Sequence, residues 1–290
     1  MSNNMFNEEK IEVGKKLLER SKENAGIAMV LYIESMNRRK YDMARLFAEN
    51  IIALKQDDFD PYHIFAMTYM EEGDFDKALD YLDKPQLKND FAENTDYIND
   101  RLLCLIKTKK YEEAEKYVAA TADSDAKNTH SYLKCAEKLY TALRKNGELR
   151  SVLEKFEELY GEAAERLSLA MLDMADGKFA EAAERLAILT KEDTQQREYY
   201  TALSLRPICL MRMDKPGWKN EMREAAEKLD AAADDPLKGV LCRQLSTPLW
   251  ETLGCEEKAE ENQKFISEIQ RFADDPDKYM DGLKAEEKKD

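Results

Sequence analysis

The feature that constrains this chain most is a short pattern that returns at a nearly fixed interval. An aromatic residue three positions before an alanine occurs in KYDMA, with Ala44, and thirty-four residues later in DFDKA, with Ala78. It recurs thirty-six residues further on in KYEEA, with Ala114, and two periods beyond that in KFAEA, with Ala182. A period of about 34 residues indicates stacked structural units, each of which buries a face of its neighbour.

Each unit has the pattern of two helices joined by a brief turn. Apolar residues recur at spacings of three and four along most of the chain, and polar clusters such as Glu71-Glu-Gly-Asp interrupt them at short intervals. Good helix formers dominate, whereas 10 glycines and 7 prolines are few for 290 residues. The sequence therefore predicts an all-α protein.

The clearest unit, residues 60–85, resembles the tetratricopeptide (TPR) repeat family. The likeness rests on an ordered series of aromatic, small and turn residues, namely Tyr62, Ala66, Tyr69, Gly73, Phe75, Ala78 and Pro85. The alanines let two antiparallel helices approach, the tyrosines fill the space beside them, and the glycine suits a tight turn. The resemblance implies a right-handed superhelical solenoid of about six or seven antiparallel helix pairs.

Residues 1–275 are expected to form a single TPR-like helical repeat domain, because no Gly/Ser-rich or Pro-rich linker divides them. A helix over residues 7–22 is expected to cap the open end of the array. Three clear repeats occupy residues 25–128, and a fourth clear repeat covers 163–194. Between them, residues 129–160 form a degenerate repeat without the alanine signature.

The C-terminal third is less regular than the clear repeats. Two divergent helix pairs are expected over residues 195–273, with Trp218 and Trp250 as their core fillers. Residues 276–290 are rich in charge and are expected to form a flexible tail. Within the degenerate repeat, the pair Asn146-Gly147 predicts the turn between two helices.

First helices line a concave groove in the TPR family, and the resemblance implies a groove here that holds an extended peptide or a helix. Counting back from the second-helix alanines gives these groove candidates: Met29, Ile33, Met36, Asn37, His63, Met67, Met70, Asn99, Leu103, Lys107, Met171 and Met174. Methionine is flexible and polarisable, so a groove rich in it adapts to apolar side chains of a partner. Methionine at helical spacing also packs in ordinary cores, and the spacing leaves both interpretations open.

Chaperone-adaptor members of the TPR family grip the C-terminal carboxylates of their partners with lysine, asparagine and arginine. This chain departs from that pattern, because Asp96 and Asp100 lie where cations are needed. Two carboxylates repel an acidic tail. Binding of the C-terminal tails of heat-shock chaperones is therefore disfavoured.

Motifs for catalysis or for metal binding do not emerge from the sequence. The two histidines, His63 and His130, have no ligand or nucleophile at helical spacing, and the five cysteines form no C-x-x-C pair. Cys104 and Cys209 lie in apolar runs and are expected to pack in the core. We therefore expect a protein that is not an enzyme and that uses no cofactor or metal.

The charge balance bears on the class of partner. The chain carries 45 basic and 60 acidic side chains, a formal charge of −15, so its average surface repels nucleic acid and anionic membranes. It also shows no secretory signal and no uninterrupted apolar run of about eighteen residues. We expect a cytoplasmic protein that binds neither nucleic acid nor membrane.

The function that these features favour is non-catalytic binding of a protein or peptide segment in the groove, as a scaffold or adaptor does. Two alternatives stay open. One is an intracellular regulator that closes around a signalling peptide. The other is a structural subunit that packs into a larger assembly by its convex face.

Overall fold

A computed structural model describes residues 13–14, 16–55, 59–84, 93–191, 196–235 and 238–276 of this protein. Every regular element in these ranges is a helix. The α-helices described from Ala25 onward are α1 (Ala25–Asn37), α2 (Tyr41–Leu54), α3 (Phe59–Glu72), α4 (Phe75–Leu82), α5 (Thr95–Lys107), α6 (Tyr111–Ala120), α7 (His130–Leu143), α8 (Asn146–Tyr160), α9 (Ala163–Ala175), α10 (Phe179–Lys191), α11 (Arg197–Arg212), α12 (Trp218–Ala232), α13 (Gly239–Thr252) and α14 (Glu256–Asp274). They follow one another as helix pairs, and the predicted all-α helical repeat fold is confirmed.

The chain forms two compact units, and the boundary between them lies inside α8, between Val152 and Leu153. In the first unit the repeating alanines Ala44, Ala78 and Ala114 have no solvent-exposed surface. Ala182 is equally buried in the second unit. A side chain no larger than a methyl group lets the helix backbones approach closely at these positions.

The first helices end in a shared turn geometry. After α3, the residue Gly73 adopts a positive φ of 90°, and the N–H of Asp74 donates to the carbonyl of Tyr69 at 2.8 Å. This pattern closes the open carbonyls at the end of a helix. The residues with positive φ in the equivalent turns are Arg39, Gly73, Lys109, Arg144, Gly177, Asp214 and Gly254.

The turn within the degenerate repeat lies two residues earlier than predicted. Asn146 and Gly147 begin α8, and the left-handed residue is Arg144, with a φ of 56°. An Asn-Gly pair is a strong local turn signal, which is why the sequence favoured it. The prediction was wrong because an arginine with no turn preference occupies the position that glycine holds after α3.

Predicted core residues lie where the sequence placed them. Trp250 is 1% exposed, Trp218 is half-buried against the same apolar cluster, and Cys104 and Cys209 have no exposed surface. At the N-terminal end, residues 16–21 are helical, and the amide of Asn50 on α2 donates to the Ser21 hydroxyl at 2.9 Å. Residues 1–12 and 277–290, which include the start of the predicted capping helix and nearly all of the predicted tail, lie outside the described residues.

Candidate functional site

Hydrogen bonds tie α1, α3 and α5, three of the first helices of the first unit, to one another. The Tyr32 hydroxyl of α1 donates to the Ile64 carbonyl of α3 at 3.0 Å. On α3, His63 Nε2 lies 2.5 Å from Asp100 Oδ2 of α5. The candidate residues of α1, α3 and α5 therefore occupy neighbouring helices.

Three short rows of candidate residues run along these helices, because positions four apart lie on the same side of a helix. We define the first-helix face by the rows Met29, Ile33 and Asn37 on α1; His63, Met67 and Glu71 on α3; and Asn99, Leu103 and Lys107 on α5. At the middle of each row is an apolar residue. Ile33 is 50% exposed and Met67 is 37% exposed, whereas Leu103 is half-buried against the core.

The remaining methionines near this face have a second role. Met29 and Met36 are half-buried and pack against the core around Ala44, and Met70 packs against the core around Ala78. Each therefore contributes to the packing of its own helix pair. The core interpretation therefore holds for these three methionines, and their role in a groove stays a prediction.

Val30 is a residue of this surface that the sequence did not predict. It is 67% exposed, although the counted register selects its neighbour Met29, which is half-buried. One residue corresponds to about 100° of rotation around a helix. The exposed side of α1 is thus formed by Val30, Ile33 and Asn37. Near the start of this helix, the exposed residue is one position later than the residue obtained by counting back from Ala44.

The pair His63 and Asp100 was also missed. The sequence offered no partner for His63 at helical spacing, because the partner lies on the next first helix. The position one repeat after His63 is Asn99, which precedes Asp100 in the sequence. The repeat period therefore contained a signal for the contact between His63 and the region of Asp100. Asn99 in turn accepts a hydrogen bond from the Thr129 hydroxyl at 3.0 Å.

The rim of the first-helix face is polar. Asn37, Glu71, Asp96 and Lys107 are exposed. Burial, with a smaller contribution from the Glu71 carboxylate, raises the pKa of Tyr32 to about 12. The Tyr32 hydroxyl therefore stays protonated near neutral pH and keeps its bond to α3.

In the second unit, the two remaining candidates lie on α9. Met171 is 53% exposed. Met174 is half-buried and packs against the core around Ala170 and Ala182. The structure therefore leaves Met171 as the accessible candidate of this unit and gives Met174 a packing role.

Metal centres and membrane spans have no counterpart in the described residues. They contain no group of three His, Cys, Asp or Glu side chains arranged to hold a metal ion. None of their helices has the length and apolarity needed to span a bilayer. The cysteines are free thiols, and burial raises the pKa of Cys104 to about 12.

Comparisons with known proteins bear on the fold. No protein-family model matches the chain, and no curated protein matches its sequence. The C-terminal part of a TPR repeat-containing protein from Cytophaga hutchinsonii is similar in structure, with a TM-score of 0.59 and 16% identity over 90% of this chain and 99% of that chain. The chain has a tetratricopeptide-like fold.

Two further solved structures are similar to this TPR-like protein. One is pilF of Pseudomonas aeruginosa, with a TM-score of 0.53 and 13% identity over 76% of this chain and 96% of that chain. The other is YrrB, described as a TPR protein with an unusual peptide-binding site, with a TM-score of 0.50 and 16% identity over 65% of this chain and 92% of that chain. The predicted resemblance to TPR repeats is confirmed for the fold.

Proposed function

We propose that this TPR-like protein is a non-catalytic scaffold that binds a segment of another protein on its first-helix face. The observation that carries the proposal is the pair of exposed apolar side chains, Ile33 and Met67, on first helices that hydrogen bonds join. Exposed apolar residues on adjacent rigid elements mark interaction sites more often than isolated ones do. The similarity to YrrB, whose structure is described by its peptide-binding site, is consistent with this use of the fold.

The energetics of such a face favour an apolar contact with a polar border. Covering Ile33 and Met67 removes apolar surface from water, which contributes on the order of 2 kcal/mol at about 25 cal/mol per Å². Asn37 and Lys107 at the rim can fix the register of the bound segment through hydrogen bonds. Acidic chaperone tails are a poor match, because Glu71 and Asp96 are exposed at the same rim.

A second candidate function is packing through the second helices into a larger assembly. The observation that favours it is the exposure of Leu54 at the end of α2 and of Ile188 on α10, at 41% and 43%. Leu54 lies eleven positions from the other exposed apolar residue of α2, Met43, and Ile188 lies singly on α10. Ile33 and Met67 lie on helices that a hydrogen bond joins, so the proposal of first-helix binding takes precedence. The two functions differ in which apolar side chains a partner covers.

The test is an affinity capture from the lysate of the source cells with matched variants. Ile33→Glu/Met67→Glu places charge on the first-helix face, and it avoids Met70, which packs in the core. Leu54→Glu/Ile188→Glu places the same charge on second helices, and circular dichroism verifies that both variants fold. We expect a partner that wild type and the second-helix variant capture and that the first-helix variant loses. The opposite loss supports packing through the second helices.

A further inference from the structure

The turns within the helix pairs of the first unit form one edge, which shares no residue with the first-helix face. Ion pairs at or beside these turns join successive helix pairs: Arg45 Nη1 lies 2.6 Å from Glu72 Oε2, Lys110 Nζ lies 3.0 Å from Asp76 Oδ1, and Lys145 pairs with Glu115. We define the turn edge by the turns Arg38–Lys40, Gly73–Asp74, Thr108–Lys110 and Arg144–Lys145. These pairs bring neighbouring turns of the edge together although the turns are about 35 positions apart in the chain.

The turn edge is basic in a protein that is acidic overall. The turns contain one carboxylate, Asp74, and seven cations, namely Arg38, Arg39, Lys40, Lys109, Lys110, Arg144 and Lys145. Arg38 is engaged by Glu34, as Lys110 and Lys145 are by Asp76 and Glu115. Within the described ranges, Arg39, Lys109 and Arg144 are exposed and form no ion pair. These three cations are available to a partner.

The same three residues occupy a backbone conformation that favours glycine. Arg39, Lys109 and Arg144 have φ values of 54°, 60° and 56°, at the turn position that Gly73 and Gly177 hold in other pairs. A side chain with a Cβ atom destabilises this left-handed conformation. In the first unit, every equivalent turn without glycine places a cation at this costly position, which indicates that the charge has a use.

In two of these turns, the residue at the helix N-cap is also of a type that does not favour that position. The N-cap residues of α2 and α6 are Lys40 and Lys110, and neither side chain caps its helix. In the acidic turn, by contrast, Asp74 accepts a hydrogen bond from the Lys77 N–H at 3.2 Å, as N-cap residues usually do. The cations therefore replace residues that stabilise a turn both at its left-handed position and at its helix start.

Open hollows adjoin the same two turns. One has a volume of about 270 Å³ and is lined by Arg39, Lys40 and Tyr41, and the other has about 630 Å³ and is lined by Lys109, Lys110 and Tyr111. In both hollows two consecutive basic residues are followed by a tyrosine, so the repeat places the same side-chain types at the two sites. Each hollow offers two cations beside the ring of a tyrosine.

Carboxylates line these hollows too, and most of them are already engaged. Asp42 and Glu72 both pair with Arg45, and Glu113 pairs with Arg101 at 2.9 Å. Glu112 lines the second hollow and forms no ion pair in the described part of the chain. Lys116, which lines the same hollow, adds a further exposed cation. The unengaged charge around the two hollows is therefore positive.

We infer that the turn edge binds an acidic segment of a protein partner, with its carboxylates at Arg39, Lys109 and Arg144. A short segment interacts with charges within about 10 Å, so it responds to this local patch. Nucleic acid or an anionic membrane extends further and meets the acidic remainder of a chain of charge −15. This site does not depend on the proposed first-helix contact, since it uses other residues.

The test uses fluorescein-labelled decaglutamate as the probe and fluorescence anisotropy at low ionic strength. We expect wild type to bind it with an affinity that falls as salt is added. Arg39→Gly/Lys109→Gly/Arg144→Gly is expected to bind about ten-fold more weakly or worse, since each lost surface ion pair contributes modestly. Its melting temperature is expected to equal or exceed that of wild type, because glycine suits the left-handed turns.

Matched variants separate this site from general charge effects. Lys138→Gln/Arg223→Gln/Lys264→Gln removes three exposed cations elsewhere and is expected to keep wild-type affinity. Should the glycine variant fold poorly, the corresponding triple asparagine variant replaces it, because asparagine also tolerates a positive φ.

Several results would overturn the inference. One is a failure of wild type to bind decaglutamate, and another is an equal loss of affinity in both the glycine variant and the triple glutamine variant. Unchanged affinity of the glycine and asparagine variants has the same meaning. Equally tight binding of a DNA duplex or of phosphatidylserine vesicles would assign the edge to another class of partner.

Discussion

At the scale of single residues, Arg101 shows how a charged side chain stabilises the interior of the first unit. Its side chain is 6% exposed, it donates to Asp83 and Glu113 at 2.9 Å each, and its guanidinium lies 4.4 Å from the centre of the Tyr117 ring. These contacts link α5 to the end of α4 and to α6. Charge-assisted hydrogen bonds of this kind are stronger than neutral ones.

Arg101→Ala is therefore expected to lower the free energy of unfolding by about 2 kcal/mol, because charge-assisted bonds and a ring contact are lost together. Arg101→Lys keeps the charge but not the planar fork, and it is expected to recover only part of the loss. Urea denaturation followed by circular dichroism measures both. Equal stability of Arg101→Ala and wild type would contradict the account of this residue.

Tyrosine burial in the first unit has a consequence for stability in alkali. Burial raises the pKa of Tyr97 to about 12, opposed by Arg101 and assisted by Asp83, while its hydroxyl donates to the Leu82 carbonyl at 3.0 Å. An unfolded tyrosine titrates near pH 10. Since the folded pKa is the higher one, this stabilisation is complete below pH 10 and is lost as the pH rises from 10 to about 12.

Tyr97→Phe is accordingly expected to flatten the decline of the melting temperature above pH 10. At neutral pH the same variant is expected to be about 1 kcal/mol less stable than wild type, because it lacks the hydrogen bond. Thermal denaturation at a series of pH values tests both effects. Parallel curves for the two proteins would show that Tyr97 does not contribute to the alkaline loss.

At the scale of helices, a buried polar network joins the last three helices of the second unit. Asp230 of α12 accepts hydrogen bonds from the Ser246 hydroxyl at 2.7 Å and from Trp250 Nε1 at 2.8 Å, both on α13. The Asn262 amide of α14 donates to the Ser246 hydroxyl at 2.9 Å. Ser246 and Asn262 are buried, so their polar groups depend on this network.

Removal of the carboxylate is expected to leave buried donors without an acceptor. Asp230→Ala should lower the free energy of unfolding by about 3 kcal/mol. Asp230→Asn keeps one acceptor oxygen and should cost less. Thermal denaturation compares the melting temperatures of the two variants. A higher melting temperature for the alanine variant than for the asparagine variant would contradict the assigned role of Asp230.

The helix pairs were predictable because their signals are local and repeated. The aromatic residue of the repeated pattern is the first residue of α2, α4, α6 and α10. Arg39, Lys109 and Arg144 carry no turn signal, so the sequence did not reveal that they adopt the geometry of glycine. Only the hydrogen bonds at the helix ends show that these turns are equivalent.

The candidate face was predictable in part. The alanine register selected Ile33 and Met67, which are exposed, but it also selected Met36 and Met70, which are half-buried. A count along one helix gives the direction of a side chain, and it does not give the neighbour that covers it. The pair of His63 with Asp100 depends on the packing of successive repeats and was missed for that reason.

At the scale of the whole molecule, the chain has an apolar surface and a basic surface formed by different residues. In the first unit, the first-helix face presents Ile33 and Met67, and the turn edge presents Arg39, Lys109 and Arg144. One partner with an apolar segment and an acidic segment could use both surfaces, and two partners could use one each. The overall charge of −15 then limits non-specific contact with other polyanions.

The most direct test of the central claim is site-specific photo-crosslinking in the source cells. The crosslinking residue p-benzoylphenylalanine replaces Met67 on α3 in one variant and Leu54 on α2 in the other, two side chains of similar exposure. Our account predicts a discrete crosslinked protein from position 67 that is absent from position 54. Crosslinks from position 54 alone, or the same products from both positions, would contradict binding on the first-helix face.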